Sequence, residues 1–447
     1  MTSNATICFV ANFDKTPLFS EVAQHLQTRY GYKVLFIATN ESDLEYLLTK
    51  WPENCVLDAT YGNIFNFKRS GIDLKYNELL YGDRVFRHDF SGGLDYLERL
   101  AAAVSIFIGT HDIRHFFGEY TWAHEMLIAR VAKNLSPSVP YSMPHTIRLP
   151  IGRFSFFSDE FQSSLPEAPL SSDDIMDGIQ VSAPDYFHQN NRRLEASRTL
   201  KHRASRVMKF LRGLNKRSAN PTSVKSKFVS LRLNAVAELN KEIFKFVKTE
   251  KEIPDGPFVF VSLHKQPEAS IDNCGRYYED QYKNIVNIWR CLPQNWKLVV
   301  KDHPNAIGDR GPVFFLKLKK FTNIIIADPK SPSLNYIKNA NATFTVSGTT
   351  AFEAALLGKP ALTFAPCFFN IFPTCRRITL DDLRYCDYLP SLFPSYDQDK
   401  QTAAINYVYA HSAPGTVSDT ASDPNVTEPE NITALSKGFN QYIRNQT

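Results

Sequence analysis

The chain has 447 residues, 43% hydrophobic and 22% charged. That is too long for one core at one domain per ~150 residues, and too apolar for a disordered or fibrous chain. Its 51 Lys and Arg against 46 Asp and Glu leave a net charge of +5, so the whole-chain balance gives no support to a nucleic-acid partner and leaves one local basic region to explain.

The amino terminus, MTSNATICFVANFDK, has no basic n-region and a very short apolar run. No stretch approaches the ~18 apolar residues of a spanning helix, so neither a signal peptide nor a membrane span is predicted. Ile7 to Val10 then reads as a strand, with a loop from Ala11 to Pro17, a helix from Leu18 to Tyr30 and a second strand from Val34 to Ala38. This β-α-β opening implies a parallel sheet. Ser105 to Gly109 (SIFIG) reads as a further buried strand ending in Thr110-His111-Asp112. Glu119 to Ala132 reads as a helix, and Met143 to Asp159 as extended and turn-rich. These elements place a first domain over residues 1–185.

The composition changes from Arg192 to Lys227. Twelve Lys or Arg are opposed only by Glu195, and Leu200, Val207, Phe210, Leu211 and Leu214 recur at roughly helical spacing. A basic amphipathic segment of this kind lies on an anionic membrane surface, holds an anionic polymer or is a solvated connector between domains. It is read as a basic helical linker over residues 186–250.

Residues 251–410 alternate strands and short helices. Strands are predicted at Phe258–Leu263, Leu298–Val300, Ile324–Ala327, Ala342–Val346 and Ala361–Phe364. Helices are predicted at Tyr278–Cys291, Val313–Lys320, Leu334–Asn339 and Thr350–Leu357. Continuous apolar strands separated by helices make a doubly wound parallel sheet, whose ligands bind beyond the carboxyl ends of the strands. That rule selects the loops 263–276, 301–310 and 347–350. Residues 411–447 read as a polar tail, disordered from Ser412 to Thr433, with a possible closing helix from Ala434 to Asn445. The seven cysteines, an odd number without a Cys-x-x-Cys pair, read as reduced thiols of a cytoplasmic protein.

Three loops carry the chemistry. Ser347-Gly348-Thr349-Thr350 leaves a strand and opens a helix, where free amides and hydroxyls suit a phosphate, and Glu353 one turn inside suits the paired hydroxyls of a ribose. Lys301-Asp302-His303-Pro304 ends the preceding strand; its His can donate to a phosphate or protonate a leaving group, with Lys301 as a nearby cation. Ser262-Leu-His264-Lys-Gln266-Pro-Glu268 leaves the first strand of the domain, and either His264 or Glu268 is a candidate general acid or base. In the first domain, Asp14, His111 and Arg114 are placed at strand ends, and Arg148 and Arg153 could meet an acidic sugar. No acidic metal cluster is evident; Asp381-Asp382 reads as a helix cap.

The segments LHKQPEAS, GRYYEDQ, VKDHPN and VSGTTAFEAALLGKP resemble the C-terminal half of the bacterial capsule and surface-polysaccharide glycosyltransferases, which include retaining transferases of Kdo-type sugars. The resemblance covers residues 255–370. It implies an α/β GT-B fold, two Rossmann-like doubly wound domains facing across a cleft, with the donor on the C-terminal domain and the acceptor on the N-terminal one. It also implies that His303, Ser347, Thr349 and Thr350 hold phosphate, that Glu353 holds ribose, and that His264, Gln266 and Glu268 lie near the reacting centre, without a metal. The N-terminal carboxylates usual in that group align with no motif here.

The expected activity is transfer of a CMP- or UDP-linked sugar, acidic and Kdo-like or otherwise activated, to a surface polysaccharide or lipid-linked glycan. No cofactor beyond that donor is implied, and no nucleic acid. The expected location is the cytoplasm, peripheral on the inner face of the membrane if residues 192–227 dock there. Two rivals share the fold: a sugar-nucleotide epimerase of the UDP-GlcNAc 2-epimerase type, and a non-catalytic polysaccharide-binding subunit.

Overall fold

The structure is a computed structural model that describes residues 5–171, 221–223 and 226–446. Of the basic residues between Arg192 and Lys227 only Lys227 is described, so the reading of that run lies outside the described residues. The chain forms two compact units. Unit 1 comprises Met1–Ser158, Pro166–Lys227 and Tyr409–Thr447; unit 2 comprises Asp159–Leu165 and Phe228–Val408.

The strands in chain order are β1 (Thr6–Val10), β2 (Lys33–Ala38), β3 (Val56–Asp58), β4 (Ile113–Phe117), β5 (Tyr141–Thr146), β6 (Arg153–Phe157), β7 (Phe258–Ser262), β8 (Lys297–Lys301), β9 (Ile324–Ala327), β10 (Ala342–Thr345), β11 (Ala361–Thr363), β12 (Cys375–Arg377) and β13 (Ala413–Pro414). The helices used below are α1 (Thr16–Tyr30), α2 (Phe90–His111), α3 (Ala123–Asn134), α4 (Lys227–Phe244), α5 (Gln281–Arg290), α6 (Thr349–Leu356) and α7 (Pro429–Gln446).

In unit 1 the strand order is β13-β6-β5-β4-β1-β2-β3. The run from β3 to β5 is parallel, and β6 and β13 add antiparallel at one edge. β1 is buried along its whole length because helices cover both faces, which is why its sequence is continuously apolar rather than alternating. Aromatic rings fill the layer beneath α7: Phe156 stacks on Tyr442 at 4.0 Å between centroids, and Phe117 meets Phe439 at 4.8 Å.

Two expectations fail in unit 1. Ser105 to Gly109 is the last part of the 22-residue helix α2, and the strand follows it at β4. A short apolar run does not distinguish a buried strand from a buried helix face; here Leu97, Leu100, Ala101, Val104 and Ile108 are buried at helical spacing while Ile106 faces solvent. The polar stretch from Ser412 to Thr433 is ordered. β13 pairs with β6, the Val417 amide donates to Thr146 Oγ1 at 3.0 Å, the Thr420 amide donates to the Asp14 carbonyl at 3.0 Å, and α7 closes on the sheet. Small polar residues satisfied by backbone partners replace the apolar surface whose scarcity suggested disorder.

In unit 2 all six strands are parallel, in the order β12-β11-β10-β7-β8-β9. Relabelled within the unit this is 3-2-1-4-5-6 read from β9, the doubly wound order whose direction reverses between β7 and β10. Among the described residues no helix is long and apolar enough to cross a membrane.

Candidate functional site

The reversal point of unit 2 brings the loops after β7 and β10 together, with the loop after β8 beside them. His264, just beyond β7, is the clamp. Its Nε2 accepts from the Ser347 amide at 3.2 Å and lies 3.0 Å from Thr345 Oγ1, while Nδ1 lies 3.3 Å from Ser270 Oγ. An amide donor on Nε2 fixes the tautomer with the proton on Nδ1. The proton then points to Ser270, whose hydroxyl donates to Glu268 Oε2 at 2.8 Å. Burial, with Arg310 and His303 nearby, pushes His264 down to about 3, so the ring is neutral. Gly348 is required by this closeness: a Cβ there would overlap Thr345 Oγ1 and press on the His264 ring.

The same loop is braced from α5. Gln281 takes the His264 amide on Oε1 at 2.8 Å, and Gln266 donates to Asp272 Oδ1 at 2.9 Å. Arg310 bonds both Asp302 and the His264 carbonyl. With both nitrogens engaged inside the unit, His264 positions the loop, and Gln266 does the same; of the three residues expected near the reacting centre, Glu268 retains a carboxylate oxygen not taken by Ser270.

Three groups remain directed at this edge. Lys301 is 4% exposed at the end of β8, and among the described residues its ammonium makes no hydrogen bond or ion pair. Burial lowers its pKa, opposed by Asp302, Asp328 and Glu353. His303 accepts the Asn305 amide on Nδ1 at 3.1 Å, which leaves Nε2–H as a donor; burial also lowers its pKa, opposed by Glu268. Thr350 Oγ1, in the first turn of α6, is buried without a partner, and the first amides of a helix have no intrahelical acceptor. Thr349 is exposed beside it. A neutral clamp, a lysine ammonium, an imidazole N–H and a helix start are groups that can meet an anion. The expected residues Lys301, His303, Ser347, Gly348, Thr349, Thr350 and Glu353 lie on this edge; Ser270, Gln281 and Arg310 were missed. Their signal is weak, since polar residues in loops gain meaning only when the chain's path is known.

Unit 1 disposes of most of its expected residues differently. Arg153 is 5% exposed and its guanidinium bonds Ser412 Oγ at 2.8 Å and the Tyr409 carbonyl at 3.2 Å, and stacks on the Tyr409 ring. It ties the returning chain to β6 and cannot reach a sugar. His111 and Arg114 stand at the amino end of β4, opposite the ligand side, and Arg114 pairs in solvent with Asp112 at 2.9 Å. Asp14 follows β1 on the correct side, exposed. Arg148 follows β5, also on that side, with φ +54°.

What occupies the carboxyl edge instead is a pair of buried carboxylates. Glu119 follows β4 and pairs with Lys15; burial raises its pKa, with Lys15 opposing and Glu125 and Asp419 adding to it. Gly118 before it has no room for a side chain, since a Cβ would overlap the Tyr141 hydroxyl. Glu125 caps the start of α3 by accepting the Thr121 and Trp122 amides at 2.9 and 3.0 Å, and bonds Asn12. His145 at the end of β5 is pushed down to about 3 by burial, with Lys15 and Arg148 contributing. The signal for Glu119 was the apolar run Phe116-Phe117 broken by Gly-Glu, hidden by the misplaced strand upstream. Among the described residues no group of three or more His, Cys, Asp or Glu is arranged to hold a metal.

No family model matches the chain and no curated relative matches it. Solved structures do. The chain is similar to KpsC of Thermosulfurimonas dismutans as a β-Kdo 2,7 transferase, at 13% identity and TM-score 0.37 over 77% of this chain and 89% of that one. It is similar to the β-Kdo 2,4 transferase of the same name at 11% and 0.37 over 99% of both. It is also similar to a Methanocaldococcus jannaschii UDP-GlcNAc 2-epimerase in complex with UDP-GlcNAc and UDP, at 15% and 0.28 over 91% and 92%.

Proposed function

We propose that the protein is a glycosyltransferase that holds a nucleotide-activated sugar at the β7–β10 reversal of unit 2 and delivers the sugar to a glycan. The observation that carries this reading is Lys301, a lysine 4% exposed as a whole whose ammonium makes no hydrogen bond or ion pair among the described residues, on the same edge as the open amides of α6 and the buried, unbonded Thr350 hydroxyl. A largely buried lysine without an ion pair gains from a ligand that supplies a counter-charge. A diphosphate or a CMP-type monophosphate supplies it, and Glu353, one turn into α6, is placed for ribose hydroxyls. His303 donates through Nε2 to the phosphate, so charge that develops on the leaving group is met by fixed donors. The donor is read as CMP- or UDP-linked and the sugar as an acidic, Kdo-type one; the acceptor is a surface polysaccharide or lipid-linked glycan. Lys301 and His303 take the charge-balancing place of a metal in this reading.

A panel of CMP, UDP and GDP tested for thermal stabilisation without added divalent ion decides the donor site. One pyrimidine nucleotide should stabilise by about 2.7 kcal/mol at a hundred times its dissociation constant; no shift with any nucleotide, or a shift that requires Mg²⁺, sinks the reading. Products from a labelled nucleotide sugar then separate transfer from epimerisation.

A further inference from the structure

Two of the cysteines of unit 2 share one hydrogen-bond acceptor. Cys291 caps the carboxyl end of α5, and Cys386 caps the carboxyl end of the short helix Leu380–Tyr385. Both pack against the core of the unit. The Cys291 Sγ donates to the Leu383 carbonyl at 2.9 Å, and the Cys386 Sγ donates to the same oxygen at 3.4 Å. Two sulfurs on one acceptor lie side by side. The backbone holds them there, because the Leu389 amide donates to the Cys291 carbonyl at 2.9 Å. Both thiols are half-buried, so each keeps some access to solvent.

The remaining cysteines lack this combination. Cys367 and Cys375 are joined through Asn370, which accepts from the Cys367 amide at 2.8 Å and donates to the Cys375 Sγ at 3.5 Å. They are 5% and 3% exposed, so a dissolved oxidant does not reach them. Cys8 and Cys274 are buried as well. Cys55 is half-buried in unit 1, where its Sγ donates to Asn54 Oδ1 at 3.7 Å. In the Cys291–Cys386 pair, burial pushes the Cys291 thiol up to about 11, with Cys386 adding to the rise and Arg290 opposing it. Cys291 therefore keeps its proton at neutral pH, which leaves the first attack on an oxidant to Cys386.

We infer that Cys291 and Cys386 are a reversible redox staple of unit 2, a dithiol that closes to a disulfide by exchange with a low-molecular-weight disulfide, RSSR. The Cys386 thiolate attacks one sulfur of RSSR, whose S–S bond breaks and releases RS⁻, and a mixed disulfide forms on Cys386. Cys291 then loses its proton to solvent, attacks the Cys386 sulfur and expels the second RS⁻. Both RS⁻ groups take up the protons that the two cysteines gave. Two protein thiols are oxidised to one disulfide, one RSSR is reduced to two RSH, and excess RSH runs the exchange backwards. The chain between the two cysteines runs from β8 to β12 and carries Lys301, His303 and the start of α6. The bond closes a long loop around these elements and pins the end of the helix whose first residue, Gln281, braces His264. Closing a long loop restricts the unfolded chain, so the oxidised unit is the more stable form. This inference does not depend on what the β7–β10 site binds.

The test is incubation of the full chain with oxidised glutathione, followed by alkylation of free thiols and peptide mapping without reductant. The wild type should give a Cys291–Cys386 cross-linked peptide and an intact chain two hydrogens lighter, while Cys8, Cys274, Cys367 and Cys375 are recovered as thiols. The cross-link should form faster at pH 9 than at pH 7, because Cys291 must lose its proton in the second step. Reduced glutathione in excess should reopen it. The oxidised chain should melt higher than the reduced one by roughly 5 °C or more. Cys291→Ala should stop at a glutathione adduct on Cys386, and Cys386→Ala should leave Cys291 free, which reads the order of attack. Recovery of Cys291 and Cys386 as thiols or as separate adducts in the wild type overturns the inference. So does a cross-link between copies through Cys55, or an oxidised chain that melts no higher than the reduced one.

Discussion

The carboxyl edges of the two sheets share a topology and differ in what is left uncompensated. In unit 1 the buried charges are already matched: Glu119 has Lys15, and Glu125 has two backbone amides and Asn12. In unit 2 the clamp is a neutral histidine, Asp302 is paired with Arg310, and Lys301 makes no hydrogen bond or ion pair among the described residues. The two edges therefore differ in how their charges are balanced. A phosphate is repelled by carboxylates and drawn to a cation, which is why the proposed donor site is the edge that carries Lys301.

Acid should break the comparison most strongly. His115 and His124 in unit 1 are 2% exposed, and burial holds their pKa values at about 3 and about 4; in unit 2 the corresponding residue is His264, at about 3. Each folded pKa lies below the unfolded value of ~6.5, so the unfolded chain binds the proton first and stability falls as pH drops below ~6.5. Each such histidine contributes a slope of up to ~1.4 kcal/mol per pH unit. With His145, also held at about 3 by burial, unit 1 should lose up to roughly 4 kcal/mol per unit against roughly a third of that in unit 2. Glu119 and Glu125, whose pKa values burial raises, bind protons in the folded state and soften the slope toward the lower end. Hydrogen exchange at pH 7, 6 and 5 should show amides of β1, β4 and β5 deprotected before those of β7, β8 and β10. The reverse order would show that the buried histidines do not set acid stability.

The second test removes the match in unit 1. Glu119→Leu leaves Lys15 buried without its partner, a change that costs about 3 kcal/mol or somewhat less given that Lys15 is partly exposed. Lys15→Met combined with Glu119→Leu should recover most of that loss, because an apolar pair of similar volume no longer strands a charge. Urea midpoints of the two singles and the double complete the cycle. If the double is as unstable as the sum of the singles, the pair is not the coupled unit described.

Legibility differed between the two units for the same physical reason. In unit 2 the strands are continuous apolar runs cut by short helices with polar exits, so periodicity alone set the strands from Phe258 to Phe364 and pointed to the loops of His264, His303 and Ser347. β12 was missed because Cys375-Arg-Arg is too short and too charged to read as a strand. In unit 1 the long helix α2 contains an apolar stretch that mimics a strand, which displaced β4 and hid Glu119. Side-chain roles were the least readable. Nothing in the order His264-Lys-Gln266 says that both named residues would turn inward and brace the loop, because that depends on Gln281 and Asp272 arriving from elsewhere in the chain. Arg153 was misread for the mirror reason: its partners, Tyr409 and Ser412, lie far along the sequence.

The smallest change in structure makes the sharpest test of the unmatched cation. Lys301→Met keeps the stem and removes the ammonium. Burial already lowers the Lys301 pKa, so the charged form is disfavoured in the folded unit and its removal should leave the melting temperature unchanged or raise it. Nucleotide affinity should move the other way. Loss of one charge-assisted hydrogen bond costs ~1.5–3 kcal/mol, about 10-fold to 150-fold in dissociation constant. Opposite signs in stability and affinity are what a residue kept for a ligand gives, and what a structural lysine does not. Titration of wild type and variant with CMP and UDP, beside their melting curves, reads both quantities from the same two proteins. A variant that melts lower and binds equally well would make Lys301 part of the scaffold, and the anion would have to be met by His303 and the start of α6 alone.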